Sequence, residues 1–161
     1  MRLTAIGSFA ALLVLAAPLS AHENSPRSVQ SGALSASARG AAATVDAFHA
    51  ALRRDDTKAA AALLADDALI FESGGAERTK AEYAAHHLPA DAVFAQSVSS
   101  TVIRRAGRSD GAVAWIASEG RTTGTYKGKA LDLATTETMV LRRTSPAWKI
   151  THIHWSSAAK R

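Results

Sequence analysis

Between Ala41 and Arg54, the apolar residues Val45, Phe48 and Leu52 recur at i, i+3 and i+7, the stripe of an amphipathic helix. His49 lies at the edge of that stripe, where a half-buried or surface role is the commoner one. Asp55 or Asp56 can cap a second, alanine-rich helix that runs to about Ala65 and turns Leu63 and Leu64 to the core. "DALIFES" at 67–73 then reads as a short apolar strand, and Gly74 and Gly75 turn the chain. A third helix is expected from about Thr79, interrupted at Pro89 and resumed for a turn.

Beyond it the pattern changes. Residues 96–106, 111–126, 129–143 and 147–157 are rich in Val, Ile, Thr and Trp, with turn signals at Ser109-Asp110-Gly111, Lys127-Gly128 and Ser145-Pro146. Three helices followed by a run of antiparallel strands predict an α+β fold with a curved sheet wrapped over the helices. The Ser- and Ala-rich residues 22–39 have no sustained period and read as a flexible arm, so the folded domain is expected over 40–158.

The first 21 residues carry an export pattern: a positive charge at Arg2, an apolar run from Ala5 to Ala17, then Pro18 and the small residue Ala21. The run is shorter than the roughly 20 apolar residues that span a bilayer, so a cleaved signal peptide and a periplasmic or secreted protein are expected. With no cysteine, neither disulfides nor lipid attachment at the cleavage site is available. The net charge is +5; without Arg2 there are 18 basic and 14 acidic residues, leaving +4. The basic residues fall in scattered pairs such as Arg53-Arg54 and Arg104-Arg105, with no stripe and no interleaved aromatics, which argues against nucleic acid as a partner. No phosphate-cradling loop, dinucleotide fingerprint, nucleophile elbow or cysteine nucleophile occurs.

The helix pair, "AALLADDALIFESGG" and the closing "TTETMVLRRTSPAWKITHIHWSS" together resemble the cone-shaped superfamily of nuclear transport factor 2, within it the SnoaL-like and ketosteroid-isomerase-like proteins. The closing strand pair is also similar to the association domain of the calmodulin-dependent kinase. The resemblance spans roughly residues 41–157 and implies a cystatin-like roll with a pocket open at one end, lined by the final strands. It further implies homodimers, since exposed sheet surfaces in this superfamily commonly pair. The superfamily includes isomerases, cyclases, hydrolases and assembly domains, so the fold alone fixes no activity.

Three sets of residues could carry chemistry. His152 and His154, two apart on the last strand, should project from one face together with Ile150 and Trp148, a sound ligand spacing for zinc or copper. His86, His87 and Asp91 could complete such a site, with Glu72 as a spare ligand. The blander alternative is a hydrogen-bond network at the pocket and a helix-terminal histidine pair. The second set is an acid/base pocket without metal: Glu137 interrupts an apolar row on its strand, Glu119 shares a face with Trp115 and Arg121, and either could be a general acid or base, although an ion pair with an arginine is favoured. Trp115, Glu137 and Trp148 are the expected pocket lining, and Tyr83 and Asp91 match a Tyr-and-acid pair of the isomerases loosely, without the full motif. The third is His22, an N-terminal copper chelator if cleavage follows Ala21. The expected function is a pocket that binds a small ligand or a transition-metal ion. The alternatives are a metal-independent isomerase, lyase or hydrolase and a non-catalytic dimerisation module.

Overall fold

The computed structural model describes residues 33–160. The expected signal peptide and His22 lie outside the described residues. Helix α1 (Arg39–Arg53) buries Val45, Phe48 and Leu52 as its stripe requires. Helix α2 (Thr57–Leu63) is capped by Asp56, whose side chain accepts a hydrogen bond from the Ala59 amide at 2.9 Å. Strand β1 (Leu64–Glu72) turns through Ser73 and Gly74, both at positive φ, into the short β2 (Gly75–Glu77). Helix α3 (Lys80–His86) is capped by Thr79, which accepts from the Glu82 amide, while the Glu82 carboxylate reaches back to the Arg78 amide. Pro89 starts a helix instead of merely interrupting one. It stands in the first turn of α4 (Leu88–Ser97), where a missing N–H costs nothing, and the helix resumes for 10 residues, not one turn.

Four long strands follow: β3 (Val98–Asp110), β4 (Val113–Tyr126), β5 (Lys129–Thr144) and β6 (Ala147–Ala159). They form a curved sheet ordered β2-β1-β6-β5-β4-β3, antiparallel except where β1 and β6 run parallel. The helices pack on one face. Ile70, Ile116, Met139, Leu141, Ile150 and Ile153 from the sheet meet Val45, Phe48, Tyr83 and Leu88 there in one core.

Ordered structure begins earlier than composition predicts. Leu34 bridges Gly107 of β3, the Ser35 amide bonds the Gly107 carbonyl, a 3-10 turn covers Ala36–Ala38, and Ala38 is fully buried. Gly107 permits this contact because a Cβ there would stand 2.7 Å from Ile116 Cδ1 and 3.0 Å from Leu34 Cδ1. Residues 34–39 therefore belong to the fold, not to the arm.

The register of β6 decides the site. Pairing with β5 shifts between Leu141, opposite Ile150, and Val140, opposite His152, which leaves Thr151 as the extra residue of a bulge. Ile150 and Ile153 consequently both face the helices and are fully buried, and Trp155 follows on the same side against Phe48. His152 and His154 alternate with Ile153 and face the outer side.

Candidate acid/base cavity

Cross-strand partners on the inner face form layers. The two nearest the core are apolar: Ile150, Leu141 and Ala114, then Ile153, Met139 and Ile116. The next layer changes character, running Glu72, Trp155, Glu137, Ser118 and Arg105 across β1, β6, β5, β4 and β3. One register row thus lays two carboxylates, an indole, a hydroxyl and a guanidinium along the floor of a cavity of about 370 Å³. That volume lies in the range of small-molecule sites, roughly 300–1,000 Å³.

Helix α1 supplies the opposite wall. Asp46, His49 and Arg53 each follow a core residue by one position and so form a second stripe beside Val45, Phe48 and Leu52. His49 Nε2–H donates to Glu137 Oε2 at 2.6 Å, and the Trp155 indole N–H donates to the same oxygen at 2.8 Å. The Glu137 side chain is only 10% exposed, that of His49 31%. Burial alone would push the Glu137 carboxyl up, but the His49 bond and charge, the Trp155 donor and the Arg105 charge outweigh it and hold Glu137 below its ordinary value. Arg105 is itself fixed, donating to Ser118 Oγ at 3.1 Å and to Asp46 Oδ1 at 2.6 Å.

A second group sits at the α3–α4 end. Tyr83, fully buried, donates its hydroxyl to Asp91 Oδ2 at 2.7 Å. Burial raises Asp91 above the usual carboxylate range, against the Tyr83 bond and the His87 charge, and burial with the Asp91 charge raises Glu72 as well. Burial and these two carboxylates push Tyr83 far up, so its hydroxyl remains a donor. Glu72 and Asp91 line the main cavity; Glu72 and Tyr83 also line a second cavity of about 340 Å³, with Glu77 and His87.

The expected histidine site does not assemble. His152 bonds the Leu69 carbonyl through Nδ1 at 2.8 Å, and both His152 and His154 meet the Phe71 ring edge-on, on the face away from the helices. His86 is exposed on α3, His87 pairs with the buried Glu77, and Asp91 is held by Tyr83. The sheet stands between the two histidine pairs. Among the described residues, no cluster of three His, Asp or Glu side chains could hold a metal ion. Trp115 is 43% exposed on the outer face, where strand alternation puts Val113 and Glu119 too, while Trp148 packs on the core near Gly40 and under Arg143; neither tryptophan lines the cavity. Glu119 borders the cavity but is exposed, with Arg104 3.9 Å away. Of the expected lining trio Glu137 alone is in place, and its partner is a histidine where an arginine was expected. Trp155, Arg105, Asp46 and Ser118 were not singled out from the sequence; the i, i+3, i+7 spacing of Asp46, His49 and Arg53 was the available signal for the helix side.

A helix-capped sheet with a polar row at its open end defines a pocket protein of the nuclear transport factor 2-like class. The chain belongs to the SnoaL-like domain family, which it matches over residues 41–160. It is similar to a candidate ketosteroid isomerase from Shewanella frigidimarina, with 37% identity over 73% of this chain and 94% of that one and a TM-score of 0.70. A candidate calcium/calmodulin-dependent protein kinase II association domain from Xanthomonas campestris shares 24% identity over 80% and 94% of the two chains, TM-score 0.65. A protein from Novosphingobium aromaticivorans with a cystatin-like fold shares 12% over 74% and 80%, TM-score 0.62; at these identities the likeness is one of fold. No curated protein matches the chain.

Proposed function

We propose that the protein is a metal-independent acid/base enzyme of the isomerase or lyase kind, acting on a small molecule next to a carbonyl. The observation that carries the reading is that one cavity holds a carboxylate, Glu137, bonded by His49 and Trp155, together with two further carboxyls, Asp91 and Glu72, in a setting that lowers the pKa of the first and raises those of the other two. Groups separated in this way can divide the roles of base and acid. Glu137 fixes the Nε2–H tautomer of His49 and leaves Nδ1 as the basic nitrogen. His49 then takes a proton from the carbon beside the carbonyl, and Asp91 or Glu72 gives a proton to the carbonyl oxygen as the enol forms. Return of a proton to another carbon completes an isomerisation, and loss of a β-substituent completes an elimination. The ketosteroid-isomerase name of the 37% identical relative supports this direction.

The test is deuterium incorporation beside the carbonyl of a panel of cyclic ketones, a ketosteroid included, followed by NMR in heavy water. Exchange above background that falls at least 100-fold in both His49→Ala and Glu137→Gln is expected. No exchange with the wild-type protein would leave a binding pocket without catalysis.

The proposal retains export, supported by the leader pattern, and a homodimer joined through the outer face. Phe71, Val113 and Trp115 are exposed on that face beside His152 and His154, an apolar patch of the kind that pairs. Sedimentation of wild type against Trp115→Glu tests the dimer, and the N-terminal mass of the exported protein tests cleavage.

A further inference from the structure

The layers do not stop at the acid/base row. One step toward the strand ends, Ser157, Thr135 and Gly120 are cross-strand partners on the same inner face, and the next step carries Leu133, Thr122 and Ser100. All six line the same cavity as Glu137. Ser100 and Thr122 bond one another at 2.8 Å, so their hydroxyls are fixed in orientation, and Thr122 is 4% exposed. Thr135 and Ser157 stand between that fixed pair and the Glu137 row.

Gly120 keeps this layer open. A Cβ there would come within 2.8 Å of Thr135 Oγ1 and 2.9 Å of the Thr101 carbonyl oxygen, and any larger side chain would cover the threonine hydroxyl from the cavity side. Its φ is not positive, so glycine is required here for room, not for backbone freedom. Leu52 of α1, Phe94 of α4 and, on the floor itself, Leu133 are apolar. The cavity therefore has polar atoms at two levels, with apolar walls beside them. On the sheet floor the polar side chains of this second level are the hydroxyls of Ser157, Thr135, Thr122 and Ser100, which give and accept hydrogen bonds but carry no charge.

We infer that the cavity selects a compact, uncharged ligand oxygenated at both ends, one oxygen meeting the Glu137 and His49 row and the other the hydroxyls of Thr135 and Ser157. This deepens the proposed function and rests on its reading of the cavity as a small-molecule site. A ligand lacking the far oxygen leaves the half-buried Thr135 hydroxyl facing an apolar surface, and sites built to bond an oxygen discriminate against its absence; Ser157 is exposed and offers a second hydroxyl at the same level.

The two-ring probes 2-naphthol and 2,7-dihydroxynaphthalene, which differ only in the second hydroxyl, separate the possibilities by calorimetric titration of the folded protein. The diol is expected to bind at least 10-fold more tightly than the mono-ol. A near-isosteric Thr135→Val/Ser157→Ala variant should reduce that advantage to within 2-fold, with the diol bound more weakly than by wild type and 2-naphthol bound at least as tightly. Glu137→Gln should weaken both probes. Equal binding of the two probes, or a diol preference that survives in the double variant, overturns the hydroxyl layer while the small-molecule site stands. No binding of either probe at millimolar concentration overturns the inference together with the reading of the cavity.

Discussion

The two faces of β6 differ by one residue in sequence and by almost everything in environment. Ile150, Ile153 and Trp155 look toward helices, so their neighbours are Phe48, Leu141, Met139 and the Glu137 carboxylate. His152 and His154 look away, toward Phe71 and solvent. Around Glu137 the polar groups of the inner face are tied to one another: three side chains, His49, Trp155 and Arg105, act on its single carboxylate. The outer face has the residues more often associated with chemistry, and its two imidazoles lie against Phe71 and solvent. What separates the titratable groups of the two faces is the desolvation that a covering helix imposes and the donors that answer it.

The largest effect that would break this contrast comes from the inner apolar layer. Ile153→Ala should cost about 2–4 kcal/mol of unfolding free energy, since Ile153 is fully buried between the sheet and the helices. A loss below about 1 kcal/mol in urea unfolding would mean that the bulge does not turn it inward. Next comes the polar row. Glu137→Ala removes the acceptor of the Trp155 indole and the His49 imidazole and should cost about 1–3 kcal/mol, because both donors are left in a largely closed site. Glu137→Gln, which keeps an acceptor oxygen, should lose less in the same measurement.

Acid sharpens the comparison within the cavity itself. Glu137 titrates below its ordinary 4.5 when folded, so its contribution to stability is complete above that pH and is lost as pH falls through the folded value. Asp91 has the opposite sign. Its folded value is raised above 3.8, the folded state binds the extra proton, and stability declines as pH rises from 3.8 through the raised value. Stability curves against pH should therefore lose a rising limb in Glu137→Gln and a falling limb in Asp91→Asn, whose side-chain oxygen can still accept from Tyr83. The same sign in both variants would contradict the division of base and acid between these groups.

Most of the scaffold is legible in the sequence because it rests on local rules. The stripe of Val45, Phe48 and Leu52, the caps Asp56 and Thr79 and the alternation that turns Glu137 inward on β5 each depend on a few neighbouring residues. Two features that set the site depend on more than that. The face of His152 is decided by an extra residue, Thr151, which breaks the alternation counted forward from Trp148 and Ile150; a strand period read straight through a bulge puts every later side chain on the wrong side. His49 gains its role from Glu137, 88 residues away, a pairing set by how α1 lies across β5. Pro89 shows a third case, in which one residue type permits either an ending or a beginning and the following sequence decides.

The smallest effects belong to the outer face and separate its two histidines from each other. His152 holds the Leu69 carbonyl of the neighbouring strand through Nδ1, a part-buried bond between side chain and backbone. Its loss in His152→Ala should cost about 0.5–1.5 kcal/mol. His154 is exposed and, among the described residues, meets the Phe71 and His152 rings, so His154→Ala should change stability by no more than about 0.5 kcal/mol. Neither substitution should alter binding of a ligand in the cavity, because Ile153 and the thickness of the sheet stand between these rings and Glu137. A ligand affinity that drops in His154→Ala but not in His152→Ala would place the outer face in communication with the polar row through Trp155, the residue next to His154 in the chain, and the two faces would then have to be treated as one site.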